Sequence, residues 1–195
     1  MTPREEPQLL IMMMGTLGAG KSHFSRQLAE EMDAERVSVD AFRRQLFRTV
    51  EEWLHPGNYR KVYDLLDRRT EEALVTGRHV IRDARHDSRA RRQAGGRIAA
   101  RRGALAVAVW INTPPQVAVG RALNRPEGAD TIKLDEEFVK DKAHRHAETV
   151  EPPEAGELAI EIDGRLPLEE QLEYFDNRLA LILAGYQGQN SAGAD

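Results

Sequence analysis

The stretch Met12–Phe24, MMMGTLGAGKSHF, joins three methionines to a glycine-rich segment that carries a lysine and a serine. The methionines close the apolar run Gln8–Met14, which has the pattern of a strand buried on both faces. After the glycines, apolar residues repeat at helical spacing over Lys21–Met32. The sequence therefore predicts a buried strand, a tight glycine turn and a helix in direct succession.

The turn matches the pattern G-x-x-x-x-G-K-[ST], whose residue types suit phosphate binding. Glycines adopt backbone conformations that other residues avoid, and they let amide N–H groups approach phosphate oxygens. The positive end of the following helix points at the same anion. Lys21 would reach the β- and γ-phosphates, and the Ser22 hydroxyl would ligate Mg²⁺. We therefore predict a site for a nucleoside triphosphate, with ATP and Mg²⁺ as cofactors. Its residues, called the phosphate loop below, are Gly15, Thr16, Leu17, Gly18, Ala19, Gly20, Lys21 and Ser22.

Strand patterns alternate with helical patterns along the rest of the chain. We predict further strands at Arg36–Val39, His79–Arg82, Ala104–Ile111 and Leu158–Ile162. We predict helices at Ala41–Phe47, Tyr59–Thr76, Ser88–Arg102, Pro115–Asn124, Asp135–Thr149 and Leu168–Leu183. A loop is expected at Trp53–Asn58, and a frayed, flexible tail over residues 185–195. The alternation predicts an α/β fold with a five-stranded parallel sheet and helices on both faces, in one domain over residues 1–184.

Composition and charge are those of a soluble globular protein, with 41% hydrophobic residues, 31% charged residues and a net charge of −4. The sequence has no cysteine, which excludes disulfides and thiolate zinc sites. His144 and His146 are interpreted as surface residues. No apolar run approaches the roughly 20 residues of a membrane helix, and the N-terminus does not resemble a signal peptide. These features predict a cytoplasmic protein without a membrane partner, and the net charge argues against a protein that coats nucleic acid.

One segment departs from this charge balance. Eight arginines fall within residues 82–102, against only two aspartates. They are Arg82, Arg85, Arg89, Arg91, Arg92, Arg97, Arg101 and Arg102. The segment could be a solvated helix face, or it could attract a polyanionic substrate.

Transfer of a phosphoryl group needs a carboxylate to accept the acceptor's proton and cations to offset charge. Asp40 ends the second predicted strand, at the sheet edge where ligands bind, and Arg43 follows on the same helix face. Asp83 ends the third strand, where a second acidic group near Mg²⁺ would stand. Either aspartate could instead be a helix cap or a surface acid. Arg121 and Arg125 lie one helical turn apart, where a closing lid would supply cations.

The order of these pieces resembles the P-loop kinase family that includes the kinase domain of 5′-polynucleotide kinases, zeta-toxin-like proteins and small-molecule phosphotransferases. The matching stretches are Gly15–Ser22, Ser38–Phe47, Val62–Ala84, Arg121–Asp130 and Val150–Glu157. The resemblance implies a P-loop NTPase fold with a small mobile lid at about residues 121–134. It also implies that Asp40 is the general base, that Arg43 positions the acceptor, and that Arg121 and Arg125 surround the triphosphate.

The acceptor is left open by the sequence. After Asp83, related chains commonly carry small or amide residues, whereas this chain has Ala84-Arg85-His86, which could alter the acceptor pocket. A 5′-hydroxyl of DNA or RNA is the first expectation, supported by the arginine-rich segment. A small molecule such as an antibiotic, a sugar or a nucleoside is the alternative. A further alternative is a nucleotide-binding switch that hydrolyses ATP to regulate a partner.

Overall fold

The structure is a computed structural model of the 195-residue chain and describes residues 7–125 and 135–192. Its five strands are β1 (Leu9–Met14), β2 (Glu35–Ser38), β3 (Val80–Asp83), β4 (Leu105–Asn112) and β5 (Ala159–Asp163). All neighbouring strands are parallel, in the order β2-β3-β1-β4-β5. The predicted five-stranded parallel sheet is therefore confirmed.

Helices cover both faces of the sheet. They are α1 (Lys21–Glu31), α2 (Val39–Leu46), α3 (Val50–Leu54), α4 (Pro56–Val75), α5 (Arg89–Arg101), α6 (Pro115–Leu123), α7 (Glu136–Thr149) and α8 (Leu168–Ala192). The central strand β1 is buried along its whole length. Its odd-numbered residues pack on one face with α1 and α8, and Leu10 and Met12 pack on the other with α4 and α5. This alternation follows from the two-residue period of a strand. The parallel sheet with helices on both faces is the architecture of an α/β P-loop NTPase fold.

The predicted loop at Trp53–Asn58 is wrong. Helix α3 reaches Leu54 and helix α4 starts at Pro56, so that only His55 separates them. A proline suits the first position of a helix because its φ is already helical and its missing N–H needs no partner there. The side chain of His55 caps α4 by accepting a hydrogen bond from the Gly57 N–H at 3.2 Å. Proline and glycine thus mark a helix start here rather than a loop.

The last helix is longer than predicted, because α8 continues past Leu183 to Ala192. Each of its two glycines, Gly185 and Gly188, costs a helix only about 1 kcal/mol relative to alanine, which is too little to end it. None of the helices in residues 7–125 and 135–192 is long and apolar enough to span a membrane. Of the predicted lid, residues 126–134 lie outside the described residues.

Candidate active site

The phosphate loop connects β1 to α1 and depends on three glycines with positive φ, at +130° for Gly15, +80° for Gly18 and +110° for Gly20. A Cβ on Gly15 would lie 2.6 Å from the carbonyl oxygen of Ile111, and one on Gly18 would lie 2.0 Å from that of Ala118. Gly20 is the N-cap of α1 and brings no side chain to cap it. The first N–H groups of a helix have no partner within the helix, so those of α1 can bind an anion.

Lys21 lies against the loop it belongs to. Its Nζ donates hydrogen bonds to the carbonyl oxygens of Gly15 at 2.7 Å and Thr16 at 2.8 Å. Burial lowers the pKa of Lys21, although the charges of Asp87 and Asp83 oppose that shift. The lysine is therefore held inside the site by backbone carbonyls and by the field of two carboxylates.

Asp40 lies in the first turn of α2, because β2 ends at Ser38, one residue before the predicted strand end. Ser38 caps the helix, and its Oγ accepts a hydrogen bond from the Ala41 N–H at 3.3 Å. Asp40 is thus not the cap, and its carboxylate pairs with Arg43, with 3.1 Å between Oδ1 and Nη1. The pair predicted from the three-residue spacing is present, on a half-buried surface.

Asp83 is buried at the end of β3, as predicted, and its Oδ2 pairs with Nη2 of Arg36. Both Asp83 and Ser22 line the same cavity. Mg²⁺ in nucleotide sites keeps several waters and takes only one or two protein ligands beside the phosphates. One hydroxyl and one nearby carboxylate therefore fit this ion, and within the described ranges no group of three or more potential metal ligands is found.

A single cavity of about 680 Å³ brings most of the predicted residues together. It is lined by residues of the phosphate loop, by the Asp40–Arg43 pair, and by Arg121 and Arg125. The remaining wall includes the aromatic side chains of Trp53, Tyr59, Tyr63 and Phe138. Trp53 is 6% exposed, so it both packs in the core and faces the cavity.

Arg121 is fixed to the turn that follows β5. Its Nη1 donates to the carbonyl oxygen of Gly164 at 2.6 Å. That turn abuts the phosphate loop, because a Cβ on Gly164 would lie 1.9 Å from Oγ1 of Thr113, which donates to the Ala19 carbonyl at 2.9 Å. Arg121 is therefore held at the end of the cavity where the triphosphate is predicted.

Asp87 is the residue that sequence reasoning missed. It is 4% exposed, and its Oδ1 accepts a hydrogen bond from the Gly15 N–H at 3.0 Å. Its Oδ2 accepts from Nε of Arg85 at 2.8 Å and lies 3.3 Å from Nδ1 of His146. Burial alone would raise the pKa of Asp87, but His146, the charge of Lys21 and the Gly15 N–H hold it well below its usual range.

The interpretation of His146 as a surface residue is wrong, because its side chain is buried against Asp87, whereas His144 is exposed as predicted. Of the residues expected to shape the acceptor pocket, Arg85 lines the cavity and His86 is buried against β1. Nδ1 of His86 lies 3.1 Å from the carbonyl oxygen of Met13. Burial, with the charge of Arg82 adding to it, lowers the pKa of His86 to about 3.

The arginine-rich segment is mostly neutralised by carboxylates. Six of its eight arginines form ion pairs, which are Arg82–Asp67, Arg85–Asp87, Arg89–Glu154, Arg92–Glu157, Arg101–Glu71 and Arg102–Glu71. Arg92 is 2% exposed and also donates to the carbonyl oxygens of His86, Glu151 and Pro152. Arg91 and Arg97 are exposed and have no such pair among the described residues. Arg82 and Arg92 are thus buried in the fold, whereas Arg89, Arg101 and Arg102 lie at the surface with their charges paired to carboxylates of the chain.

Comparison with solved structures shows that the fold is shared with small-molecule kinases. A sugar kinase from Janibacter sp. is 21% identical over 91% of this chain and 98% of that chain, with a TM-score of 0.63. A gluconokinase from Sinorhizobium meliloti is 19% identical over 95% and 99%, with a TM-score of 0.64. Shikimate kinase from Aquifex aeolicus is 18% identical over 95% and 99%, with a TM-score of 0.50. No curated protein matches the chain.

A family model described as an AAA domain matches residues 10–149. The matched region runs from β1 to the end of α7 and includes the phosphate loop, the Asp40–Arg43 pair and Asp87. It spans well over half of the sequence. The chain therefore belongs to this AAA domain family and has its kinase-like P-loop fold.

Proposed function

We propose that this protein is an ATP- and Mg²⁺-dependent phosphotransferase whose acceptor is a hydroxyl of a small molecule. The observation that carries the proposal is the single cavity that joins the phosphate loop to the Asp40–Arg43 pair. Such a cavity would take a triphosphate at the phosphate loop and an acceptor hydroxyl at the Asp40–Arg43 pair. Proton removal from a hydroxyl requires a carboxylate within hydrogen-bond reach, and Asp40 at the cavity wall would supply it.

In this mechanism Asp40 takes the proton of the acceptor hydroxyl as its oxygen attacks the γ-phosphorus. A new P–O bond forms to the acceptor, and the bond from the γ-phosphorus to the β–γ bridging oxygen breaks, so that ADP leaves. Arg43 holds the Asp40 carboxylate and the acceptor in place. Lys21, Arg121 and Arg125 offset the charge on the phosphoryl group. Ser22 and Asp83 would hold the Mg²⁺, which neutralises phosphate charge when bound.

The ion pairing of the arginines in residues 82–102 favours a small acceptor over a polynucleotide. A protein that grips a nucleic-acid backbone needs cations that are free to contact phosphates. In the segment 82–102, six of the eight arginines are already paired with carboxylates of the chain. The shared fold with a sugar kinase and a gluconokinase supports the same choice.

The test is transfer of the γ-phosphoryl from labelled ATP to two sets of acceptors. One set contains small hydroxyl compounds, and the other contains DNA and RNA oligonucleotides with 5′-hydroxyl ends. We expect label in small compounds only. Asp40→Asn should lower turnover by roughly 10²- to 10⁴-fold with nucleotide binding retained. Asp64→Asn, which changes an exposed aspartate of α4, is the matched control and should leave turnover unchanged.

Three results would overturn this proposal or part of it. Label at oligonucleotide 5′ ends would restore the polynucleotide acceptor. ATP hydrolysis that proceeds without an acceptor and is not stimulated by any acceptor would favour the nucleotide-dependent switch. Unchanged turnover in Asp40→Asn would remove this residue from the chemistry.

A further inference from the structure

At the cavity wall, two arginines stack on the rings of two tyrosines of α4. Tyr59 and Tyr63 are four residues apart and so share one helix face. The guanidinium carbon of Arg43 lies 5.4 Å from the centre of the Tyr59 ring, and that of Arg91 lies 5.2 Å from the centre of the Tyr63 ring. All four side chains line the cavity. Four residues advance a helix by about 6 Å, so the two stacks are separated by about one helical turn.

The two arginines differ in how their charge is balanced. Arg43 pairs with the carboxylate of Asp40. Arg91 instead donates from Nη1 to the carbonyl oxygen of Arg85 at 3.2 Å, which is a neutral partner. Within residues 7–125 and 135–192, no carboxylate forms an ion pair with Arg91. Its stacking on Tyr63 holds the guanidinium in place without neutralising it.

Two other charged side chains of the cavity wall are already paired with opposite charges. Arg85 pairs with Asp87, whose side chain is buried. Asp83 pairs with Arg36, which does not line the cavity. Of the three arginines Arg43, Arg85 and Arg91 on this wall, Arg91 is the one that no carboxylate of the described residues pairs with. A planar guanidinium in a fixed position is suited to bind a carboxylate or a phosphate through two parallel hydrogen bonds.

We propose that the small acceptor carries an acidic group, a carboxylate or a phosphate monoester, which Arg91 binds while the reacting hydroxyl lies at Asp40. The inference rests on the function proposed above and specifies its substrate class. The acidic group takes no part in bond breaking; it is an anchor that sets which hydroxyl reaches the γ-phosphoryl. The spacing of about one helical turn between the two stacks suits short hydroxy acids and sugar phosphates.

The test uses acceptors in matched pairs that differ in the acidic group. Gluconate is compared with glucitol and glycerate with glycerol for the carboxylate, and fructose 6-phosphate with fructose for the phosphate. The small-molecule fraction of a bacterial extract is added as a broader source, with labelled products separated by charge. Each is assayed with labelled ATP and the full chain, as wild type, Arg91→Gln and Arg97→Gln. Arg97 lies on the same helix and is exposed, and it does not line the cavity.

We expect that acidic compounds become labelled. For each neutral partner, kcat/KM should be at least about tenfold lower than for the matched acid. Arg91→Gln should raise the KM for the acid by roughly 10- to 100-fold, the range of a hydrogen bond to a charged group, with kcat and nucleotide binding little changed. Arg91→Lys should recover part of this loss, because it restores the charge without the planar fork. Arg97→Gln should match the wild type.

The outcomes separate this inference from the function on which it rests. If neutral acceptors were labelled as readily as acidic ones, the proposal of an acidic acceptor would be overturned. The proposal of a small-molecule kinase would still stand. Equal behaviour of Arg91→Gln and Arg97→Gln with an acidic acceptor would remove Arg91 as the anchor. Label in no compound of the panel or the extract would overturn both proposals. Whether the carboxylate compounds or the phosphate compound become labelled identifies the acidic group of the acceptor.

Discussion

The carboxylate of Asp87 accepts a hydrogen bond from the backbone N–H of Gly15 at 3.0 Å, which ties the first residue of the phosphate loop to the segment after β3. The same carboxylate is bonded to Arg85, which lines the cavity, and lies beside His146 of α7. One buried side chain thus contacts three parts of the site. The conformation of the phosphate loop depends on residues that are distant in the sequence.

Replacement of Asp87 should separate its contribution to stability from its contribution to ATP binding through the Gly15 N–H. Asp87→Ala removes the acceptor for the Gly15 N–H and leaves Arg85 and His146 without their carboxylate, so we expect a loss of about 1–3 kcal/mol in the free energy of unfolding and weaker ATP binding. Asp87→Asn keeps an oxygen that can accept from Gly15, so it should bind ATP better than Asp87→Ala. Denaturant unfolding and ATP titration measure both quantities, and equal ATP affinity of the two variants would show that the Gly15 bond has no effect on binding.

Lys21 should be needed for activity but not for folding. Burial lowers its pKa, which means that the folded chain disfavours the charged ammonium relative to water. Lys21→Met should therefore leave the free energy of unfolding unchanged or higher, while phosphoryl transfer falls by about 10²-fold or more. The control is Lys61→Met, at an exposed position of α4, which should retain transfer. Transfer that survives in Lys21→Met would show that the nucleotide binds elsewhere.

Arg92 should be a structural residue despite its place in the arginine-rich segment. Its guanidinium is paired with both oxygens of Glu157 at 2.9 Å and also bonded to three carbonyls. Arg92→Ala would leave a buried network without its cation, so we expect the free energy of unfolding to fall by about 3–5 kcal/mol. The exposed Arg97 has no such network, and Arg97→Ala should change stability by less than about 0.5 kcal/mol. Denaturant unfolding compares them, and similar losses would contradict the assignment.

His86 should make stability depend on pH. Its pKa falls from 6.5 in the unfolded chain to about 3 in the folded chain, so between these values the unfolded chain binds a proton that the folded chain does not. The free energy of unfolding should therefore decrease as the pH falls through this window, by up to about 1.4 kcal/mol per pH unit from this residue. His86→Gln should show a smaller slope than the wild type in denaturant unfolding at several pH values. His144→Gln, at an exposed position, should keep the wild-type slope.

Local sequence patterns were sufficient where a structure depends on neighbours in the chain. The phosphate loop was predictable because positive φ favours glycine, and the N–H groups at the start of α1 follow directly. The pairing of Asp40 with Arg43 followed from a three-residue spacing on one helix. The misplaced loop at Trp53–Asn58 shows the limit, because proline and glycine mark helix starts as well as loops.

The sequence by itself determined the alternation of strands and helices, the phosphate loop and the carboxyl edge at which Asp40 and Asp83 lie. Only the tertiary structure decided which charges remain available for a ligand. Asp87 and Gly15 are 72 residues apart, and Arg92 reaches Glu157 across 65 residues. Such pairs form when packing brings distant elements together, and a charged residue carries no local sign of its partner. For that reason six of the eight arginines in a segment that suggested a nucleic-acid surface form ion pairs with carboxylates of the same chain, and Arg91 is left at the cavity wall.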